Sequence, residues 1–239
     1  MARTRVVAHR GASGLVPYGN TPEAFDVTVA TGARWAEIDV RRTSDGALVV
    51  HHDPDVAGAS LARLTLAQAR TCAEQAGYTL CTLDEVLDGW GRDLCFDVEL
   101  KEPGTEAATV ATVERHLPPE RVVYTSFVDE TVAQLRRLAP QAEVGLLLGV
   151  GAPLSRVRTR LSELFPARRA RRCGATFVAP NQALVRAGLL RRMRLAGLPV
   201  WVWTVNDPTR MAWLIRNGAA AVITDRPDIG LGIVAGIDR

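Results

Sequence analysis

Short apolar runs with the two-residue period of strands alternate with helical patterns along the whole chain. The strand-like runs are Arg5–His9, Trp35–Arg41, Leu48–His52, Leu94–Leu100, Val122–Ser126, Val144–Leu148, Thr176–Ala179, Val200–Val205 and Ala221–Thr224. Helical patterns lie between most of them, among them Glu106–Leu117, Glu130–Leu138, Leu184–Leu195 and Pro208–Asn217. Gly32, Gly197 and Gly218 stand where helices stop, each just ahead of a strand. Repeated β-then-α order predicts parallel strands joined by crossover helices. The nine runs are one more than an eight-fold barrel needs. The excess has a local cause. Only Thr43-Ser44-Asp45-Gly46 separates Trp35–Arg41 from Leu48–His52, and Asp-Gly between apolar runs predicts a hairpin. A turn centred on Asp45-Gly46 sets His52 opposite Asp39. Leu48–His52 then reads as an antiparallel flap returning to the mouth of strand two. Eight parallel strands remain, each followed by a helix except the last, which a short tail follows. The predicted fold class is α/β, a (β/α)8 TIM-type barrel with a β-hairpin inserted after strand two, spanning 1–239 as one domain.

Composition bounds this picture without changing it. The 239 residues are 47% hydrophobic and 23% charged, which excludes a disordered chain. No apolar run approaches the ~20 residues of a membrane-spanning helix. The early apolar stretch, Val6–Ala8, is far too short for a signal peptide. Cys72, Cys81, Cys95 and Cys173 form no CxxC pair, which fits a reduced compartment, and the expected location is cytoplasmic. A net charge of +3 is too weak to argue for nucleic acid. Of the 29 basic residues, 28 are Arg and one, Lys101, is Lys. The Arg-rich stretch Arg156–Arg172 reads as a solvated helix face, with an anionic membrane surface as the other reading.

Active sites of such barrels lie at the C-terminal ends of the strands, so the polar residues there carry the chemistry. Strand one ends His9-Arg10-Gly11; strand two carries Glu37 and Asp39; the flap ends His52-Asp53; strand three carries Asp97, Glu99 and Lys101. Alternation puts Glu37 with Asp39 on one face, and Asp97 with Glu99 and Lys101 on one face, while Ile38, Val40, Val98 and Leu100 pack under helices. Carboxylates crowded into a low-dielectric interior repel one another, and a hard divalent cation, Mg2+ or Ca2+, resolves that. Ion pairs of Glu37 and Asp39 with Arg41 or Arg42 are the other reading, as is a simple Glu99–Lys101 pair. Two histidines ending separate β-elements suit acid and base work near neutral pH. His51 points away from His52, and His116 ends a helix; both read as structural. Arg10 offers a fixed fork for phosphate, and Gly11 allows close backbone approach. Histidines, carboxylate-held metal, Arg and Lys together describe a site that cleaves a phosphodiester.

The sequence resembles the glycerophosphodiester phosphodiesterase family. The resemblance rests on His9-Arg10-Gly11-Ala12-Ser13-Gly14, Asn20-Thr21, Glu37-Ile38-Asp39-Val40, Thr43-Ser44-Asp45-Gly46 with Val49-Val50-His51-His52-Asp53, and Leu83-Asp84-Glu85-Val86-Leu87. It continues through Val98-Glu99-Leu100-Lys101, Ser126-Phe127, Val202-Trp203-Thr204-Val205-Asn206 and Ile223-Thr224-Asp225-Arg226-Pro227. It implies a TIM-type barrel, Glu37, Asp39 and Glu99 as metal ligands, and His9 and His52 as the acid/base pair. It also implies phosphate contacts from Arg10 and Lys101, Trp203 as an aromatic wall, and a small glycerophosphodiester such as glycerophosphocholine as substrate. The chain departs from the family where Pro-Glu-Asn-Thr is usual: it reads Pro17-Tyr18-Gly19-Asn20-Thr21, one residue longer and without that Glu. The segment between Asp53 and Leu64 is short where larger relatives hold a small covering subdomain, which suggests a more open pocket. A phospholipase D-like lyase acting on lysophospholipid or sphingomyelin, and a barrel that binds a phosphorylated ligand without turnover, are the alternatives. The oligomeric state is not legible.

Overall fold

The computed structural model describes residues 4–149 and 165–237. Arg156, Arg158 and Arg160 of the Arg-rich stretch lie outside them. The barrel strands are β1 (Arg5–Ala8), β2 (Trp35–Arg42), β6 (Cys95–Leu100), β7 (Val122–Ser126), β8 (Glu143–Leu148), β9 (Phe177–Pro180), β10 (Trp201–Val202) and β11 (Ala221–Thr224). They are hydrogen-bonded in parallel in the order β10-β11-β1-β2-β6-β7-β8-β9. Parallel bridges Val178–Val200 and Asn181–Trp203 join the last pair and bring the sheet nearly to closure.

Helices α1 (Pro22–Ala30), α2 (Leu66–Gln75), α3 (Leu83–Trp90), α4 (Glu106–Glu114), α5 (Asp129–Leu138), α6 (Pro166–Cys173), α7 (Ala187–Leu195) and α8 (Pro208–Arg216) intervene between strands. Their starts are written locally. Thr21 and Asp207 cap α1 and α8, and Thr65 and Thr82 form reciprocal capping boxes with Gln68 and Glu85. Strand alternation then sorts the side chains. Ile38, Val40, Val98, Leu100, Val144 and Val202 join the core between sheet and helices. Val7, Val123, Leu147, Phe177, Trp201 and Ile223 fill the barrel itself. Phe177 stacks on Trp201 with ring centroids 4.6 Å apart, worth ~0.5–1.5 kcal/mol beyond its buried area. At the end away from the site the Arg5 guanidinium lies 4.9 Å from the Trp35 ring and 5.2 Å from the Trp201 ring, and pairs with Glu143.

Three details differ from the sequence expectation. First, β3 (Leu48–Val50) does pair antiparallel with β2, but one residue out of the expected register: Val40 faces Val50 and Arg42 faces Leu48. The turn is a three-residue loop, Ser44–Gly46, closed by Thr43 N–H to Ala47 O, with Gly46 at φ +88°. His51 therefore stands opposite Asp39, its N–H donating to Asp39 O, and His52 lies beyond the ladder. Second, β1 ends at Ala8, and His9 opens the turn that Arg10 (φ +52°) and Gly11 (φ +63°) carry. Third, the last strand is followed by a helix, α9 (Pro227–Ile237), where a tail was expected. Gly230, Gly232 and Gly236 disfavour a helix by ~1 kcal/mol each, but packing overrides them. Val234 is buried, Leu231, Ile233 and Ile237 pack against the main core, and Gly230 sits where a Cβ would fall 2.8 Å from Val6.

After the flap, β4 (Asp55–Val56) and β5 (Ala59–Ser60) form a tiny antiparallel hairpin. Val56 and Leu61 pack with Ala69 and Ala73 of α2 in a separate small core. Among the described residues no helix is long and apolar enough to cross a membrane.

Candidate active site

A cleft of about 590 Å³ opens at the C-terminal ends of the strands, lined by His9, Arg10, Glu37, Arg41, His52, Asp97, Glu99, Lys101, Phe127 and Trp203 among others. β2 and β6 run in register, Glu37 beside Asp97 and Asp39 beside Glu99. This brings one oxygen each of Glu37, Asp39 and Glu99 within 4.8 Å of one another, all three residues buried. Lys101 Nζ lies 2.7 Å from both Asp39 Oδ1 and Glu99 Oε1. The Arg10 guanidinium approaches Asp39 from the other side, Nε to Oδ2 3.5 Å. Arg41 pairs with Glu102 and the Arg42 guanidinium donates to Gly104 O, so they do not neutralise the cluster.

Two cations against three buried carboxylates leave the cluster short of positive charge. Burial, then the charges of Asp39 and Glu99, push Glu37 well above the ordinary carboxylate range. Burial also raises Glu99, with Lys101 opposing it and Asp39 adding to it. For Asp39 burial acts upward, yet Lys101, Arg10 and His52 outweigh it and hold the group low. Lys101 is raised, because Asp39, Glu99 and Glu37 outweigh its own burial. Glu37 Oε1 is buried with no hydrogen-bond donor, and Asp39 Oδ1 and Glu99 Oε1 have no aligned donor beyond the Lys101 ion pairs. Hard oxygen donors, converging and under-neutralised, fit a divalent cation.

The histidines stand on either side, and each is tied at Nδ1 to a carboxylate. His9 Nδ1 is 2.6 Å from Asp225 Oδ1, which also accepts from Ser13 Oγ at 2.8 Å. Asn206 donates to the other Asp225 oxygen. Burial would raise Asp225, but the bond to His9 and the other donors hold it well below its ordinary range, so it is a fixed anion. His9 Nε2 turns inward, 3.9 Å from Glu37 Oε2. His52 Nδ1 is 2.7 Å from Asp53 Oδ1, and Arg41 Nε donates to His52 O at 2.8 Å. The Arg41 bond explains how His52 reaches the cleft despite the shifted register. Burial, with Lys101 and Arg10 adding to it, lowers His52 below its ordinary value against the pull of Asp39.

Trp203 forms the opposite wall, its Nε1 donating to Ala179 O and its ring meeting Phe127 edge-on at 5.6 Å. His51 and His116, read from the sequence as structural, are not among the residues lining the cleft: His51 Nε2 meets Asp55 O and its ring stacks on Tyr78, and His116 meets Asp84. The structure brings together His9, Arg10, Glu37, Asp39, His52, Glu99, Lys101 and Trp203.

Sequence reasoning gave no role to Asn20, Asp225 or Asp53. Asn20, at φ +61° and buried, donates from Nδ2 to Asp39 Oδ2 at 2.7 Å, and its N–H bonds Arg10 O. The departing loop is tied down on its outer side as well. Tyr18 OH donates to Ala76 O and the ring packs against Tyr78, tilted by 32° with centroids 5.0 Å apart. Asp225 stands far from His9 in the chain but directly beyond β11, the neighbour of β1; strand order was the signal that finds it.

Residues 9–229 match the sequence pattern of the Glycerophosphoryl diester phosphodiesterase family. The glycerophosphodiester phosphodiesterase of Caldanaerobacter subterraneus is 28% identical, covering 97% of this chain and 98% of that protein. Its counterpart in Bacillus subtilis is 29% identical, covering 95% and 85%. An Oleispira antarctica phosphodiesterase, solved in complex with the product sn-glycerol-3-phosphate, superposes with a TM-score of 0.81 at 22% identity over 98% of this chain and 97% of that one. A match across nearly the whole chain, on a barrel whose mouth carries the expected polar residues, leads to one assignment: the chain belongs to the glycerophosphoryl diester phosphodiesterase family, a family of phosphoric diester hydrolases.

Proposed function

We propose that this single-domain barrel hydrolyses a small glycerophosphodiester, of the glycerophosphocholine kind, to an alcohol and sn-glycerol 3-phosphate. The observation that carries this reading is a three-carboxylate cluster set between two histidines that are each oriented at Nδ1 by a carboxylate. Glu37, Asp39 and Glu99 would hold one divalent cation, Mg2+ or Ca2+. When bound, that cation supplies Lewis-acid stabilisation of charge on a phosphate oxygen.

The chain's own groups do the rest. Arg10 and Lys101 flank the carboxylates and hold the anionic phosphate. With Nδ1 occupied, each imidazole presents Nε2 to the substrate. One takes the proton of the attacking hydroxyl, either water or the 2-hydroxyl of glycerol, as its oxygen bonds phosphorus. The other gives a proton to the departing alcohol as the second P–O bond breaks. Attack by the 2-hydroxyl leaves a cyclic phosphate, which water opens with the two histidines exchanging roles. Asp225 and Asp53 fix the tautomers. Four unpaired thiols, three of them buried, support a reduced, cytoplasmic setting.

The test is release of sn-glycerol 3-phosphate over a panel of glycerophosphodiesters, with EDTA and then Mg2+ or Ca2+ added back. Release abolished by EDTA and restored by one cation is expected. A cyclic phosphate as stable end product would point to the lyase instead. Calorimetric binding with no product over hours would point to a non-catalytic barrel.

A further inference from the structure

The net charge of +3 hides a strong asymmetry. Residues 164–206 carry eight arginines and no acidic residue, whereas the rest of the chain has 21 basic against 26 acidic residues. This segment therefore holds +8 and the remainder −5. A coding preference for Arg explains Arg in place of Lys; it does not explain the absence of Asp and Glu from this segment.

The folded chain puts much of that charge on a single surface. A groove between α6 and α7 is lined by Phe165, Ala167, Arg168, Arg171, Arg172 and Arg192. Arg169 alone on α6 turns inward, to Asp129 and Phe127 O. Among the described residues no carboxylate lies within ion-pair distance of Arg168, Arg171 or Arg172. Arg171 donates to Ala196 O, which ties the end of α6 to the end of α7. The two most exposed large apolar side chains among the described residues belong to the same helix pair: Phe165, 62% exposed, on the groove lining, and Leu195, 74% exposed, at the end of α7 next to the Ala196 carbonyl that Arg171 reaches.

Crowded like charges and exposed apolar side chains each raise the free energy of the isolated protein, and one partner relieves both. We propose that the α6–α7 face docks on an anionic lipid surface, with the arginines against the head groups and Phe165 and Leu195 entering the interfacial layer. A nucleic acid would satisfy the arginines and leave Phe165 and Leu195 in water, which favours lipid. Phe165 and Leu184, which is also exposed, precede α6 and α7 and so lie at the same end of the barrel as the cleft.

The experiment is co-sedimentation of the whole chain with vesicles of phosphatidylcholine alone or with roughly one-third phosphatidylglycerol. Binding to the anionic vesicles only is expected, lost as the Debye length falls from ~10 Å at 0.1 M salt to ~3 Å at 1 M. Each neutralised arginine should weaken the partition roughly fivefold, so combining Arg168→Gln, Arg171→Gln and Arg172→Gln should weaken it about a hundredfold. Phe165→Ser with Leu195→Ser should weaken it about tenfold with the salt dependence kept. Turnover of a soluble glycerophosphodiester should be unchanged in both variants. Equal sedimentation with neutral vesicles, no sedimentation, or unchanged binding by the arginine variant would overturn the proposal. So would tighter binding of a DNA duplex at the same salt. Should the triple variant fail to fold, the lipid-charge and salt dependence of the unaltered chain decide the matter.

Discussion

Among the described residues, every ionisable side chain lining the cleft comes from the first 101 positions: His9, Arg10, Glu37, Arg41, His52, Asp97, Glu99 and Lys101. From there on the lining is Pro103, Thr125, Phe127, Val128, Leu147, Trp203, Thr204 and Ile223, none of them ionisable. The two halves of the mouth are stabilised differently. In the apolar half the indole N–H of Trp203 has an acceptor in Ala179 O, and Thr125 Oγ1 donates to Asp97. In the polar half, buried oxygens of Glu37, Asp39, Asp97 and Glu99 lack aligned donors, and several groups are pushed far from their ordinary titration ranges. Incomplete satisfaction on that scale is what a fold tolerates where a ligand is to complete it. The comparison predicts that changes in the polar half alter turnover, and changes in the apolar half alter binding.

The largest effects belong to the histidines. His9→Ala and His52→Ala should each lower kcat by ~10²–10⁴-fold on a glycerophosphodiester with metal present. If both variants stay near full activity, the acid/base assignment fails. Next comes Lys101→Arg. The compact ammonium fits between Asp39 and Glu99 at 2.7 Å from each, and a planar guanidinium is larger and differently hydrated. A loss of roughly 10–100-fold is expected, with the melting temperature nearly kept. Full activity in that variant would make the single lysine of the chain an accident of composition.

These residues were legible because the information is local. Strand alternation puts Glu37 with Asp39 and Glu99 with Lys101 whatever the rest of the chain does. Parallel order fixes that they meet at one end of the barrel. What escaped needs geometry that local pattern does not hold. The flap register turned on whether Gly46 closes a two-residue or a three-residue loop. The last helix was hidden by three glycines whose low propensity is overruled by Val234 and its neighbours against β1 and α8. The role of Asp225 depends on closure of the barrel, which places the last strand beside the first. Asn20 took on a site role through a left-handed backbone in a loop that departs from the family pattern.

On the apolar side, Trp203→Ala removes the wall and its edge-on contact with Phe127. The substrate meets this surface equally before and during reaction, so KM should rise about tenfold, a loss of ~1.4 kcal/mol, with kcat within about threefold. A kcat loss as large as that of the histidine variants would break the comparison, because the wall would then act on the transition state.

The smallest effect sharpens the comparison most. Asp97 sits a layer below the carboxylate cluster, and accepts a hydrogen bond from Thr125 Oγ1 at 2.8 Å. Burial pushes it up to about 8, with Glu99 and Asp39 adding to the rise and the Thr125 bond opposing it. In the unfolded chain an Asp titrates near ~3.9. The folded value is the higher one, so the stability tied to protonated Asp97 is fully present below about pH 4 and is lost as pH rises towards about 8. The slope is at most ~1.4 kcal/mol per pH unit for each proton held. Glu37 and Glu99, also raised, contribute slopes of the same sign. In EDTA the unaltered protein should therefore melt at a lower temperature at pH 8 than at pH 5. Asp97→Asn keeps an acceptor for Thr125 and has no proton to lose, so its advantage over the unaltered protein should grow with pH across that window. Parallel melting curves for the two proteins would show that Asp97 is already ionised in the fold at pH 5, and that the polar half is better neutralised than its unpaired oxygens imply.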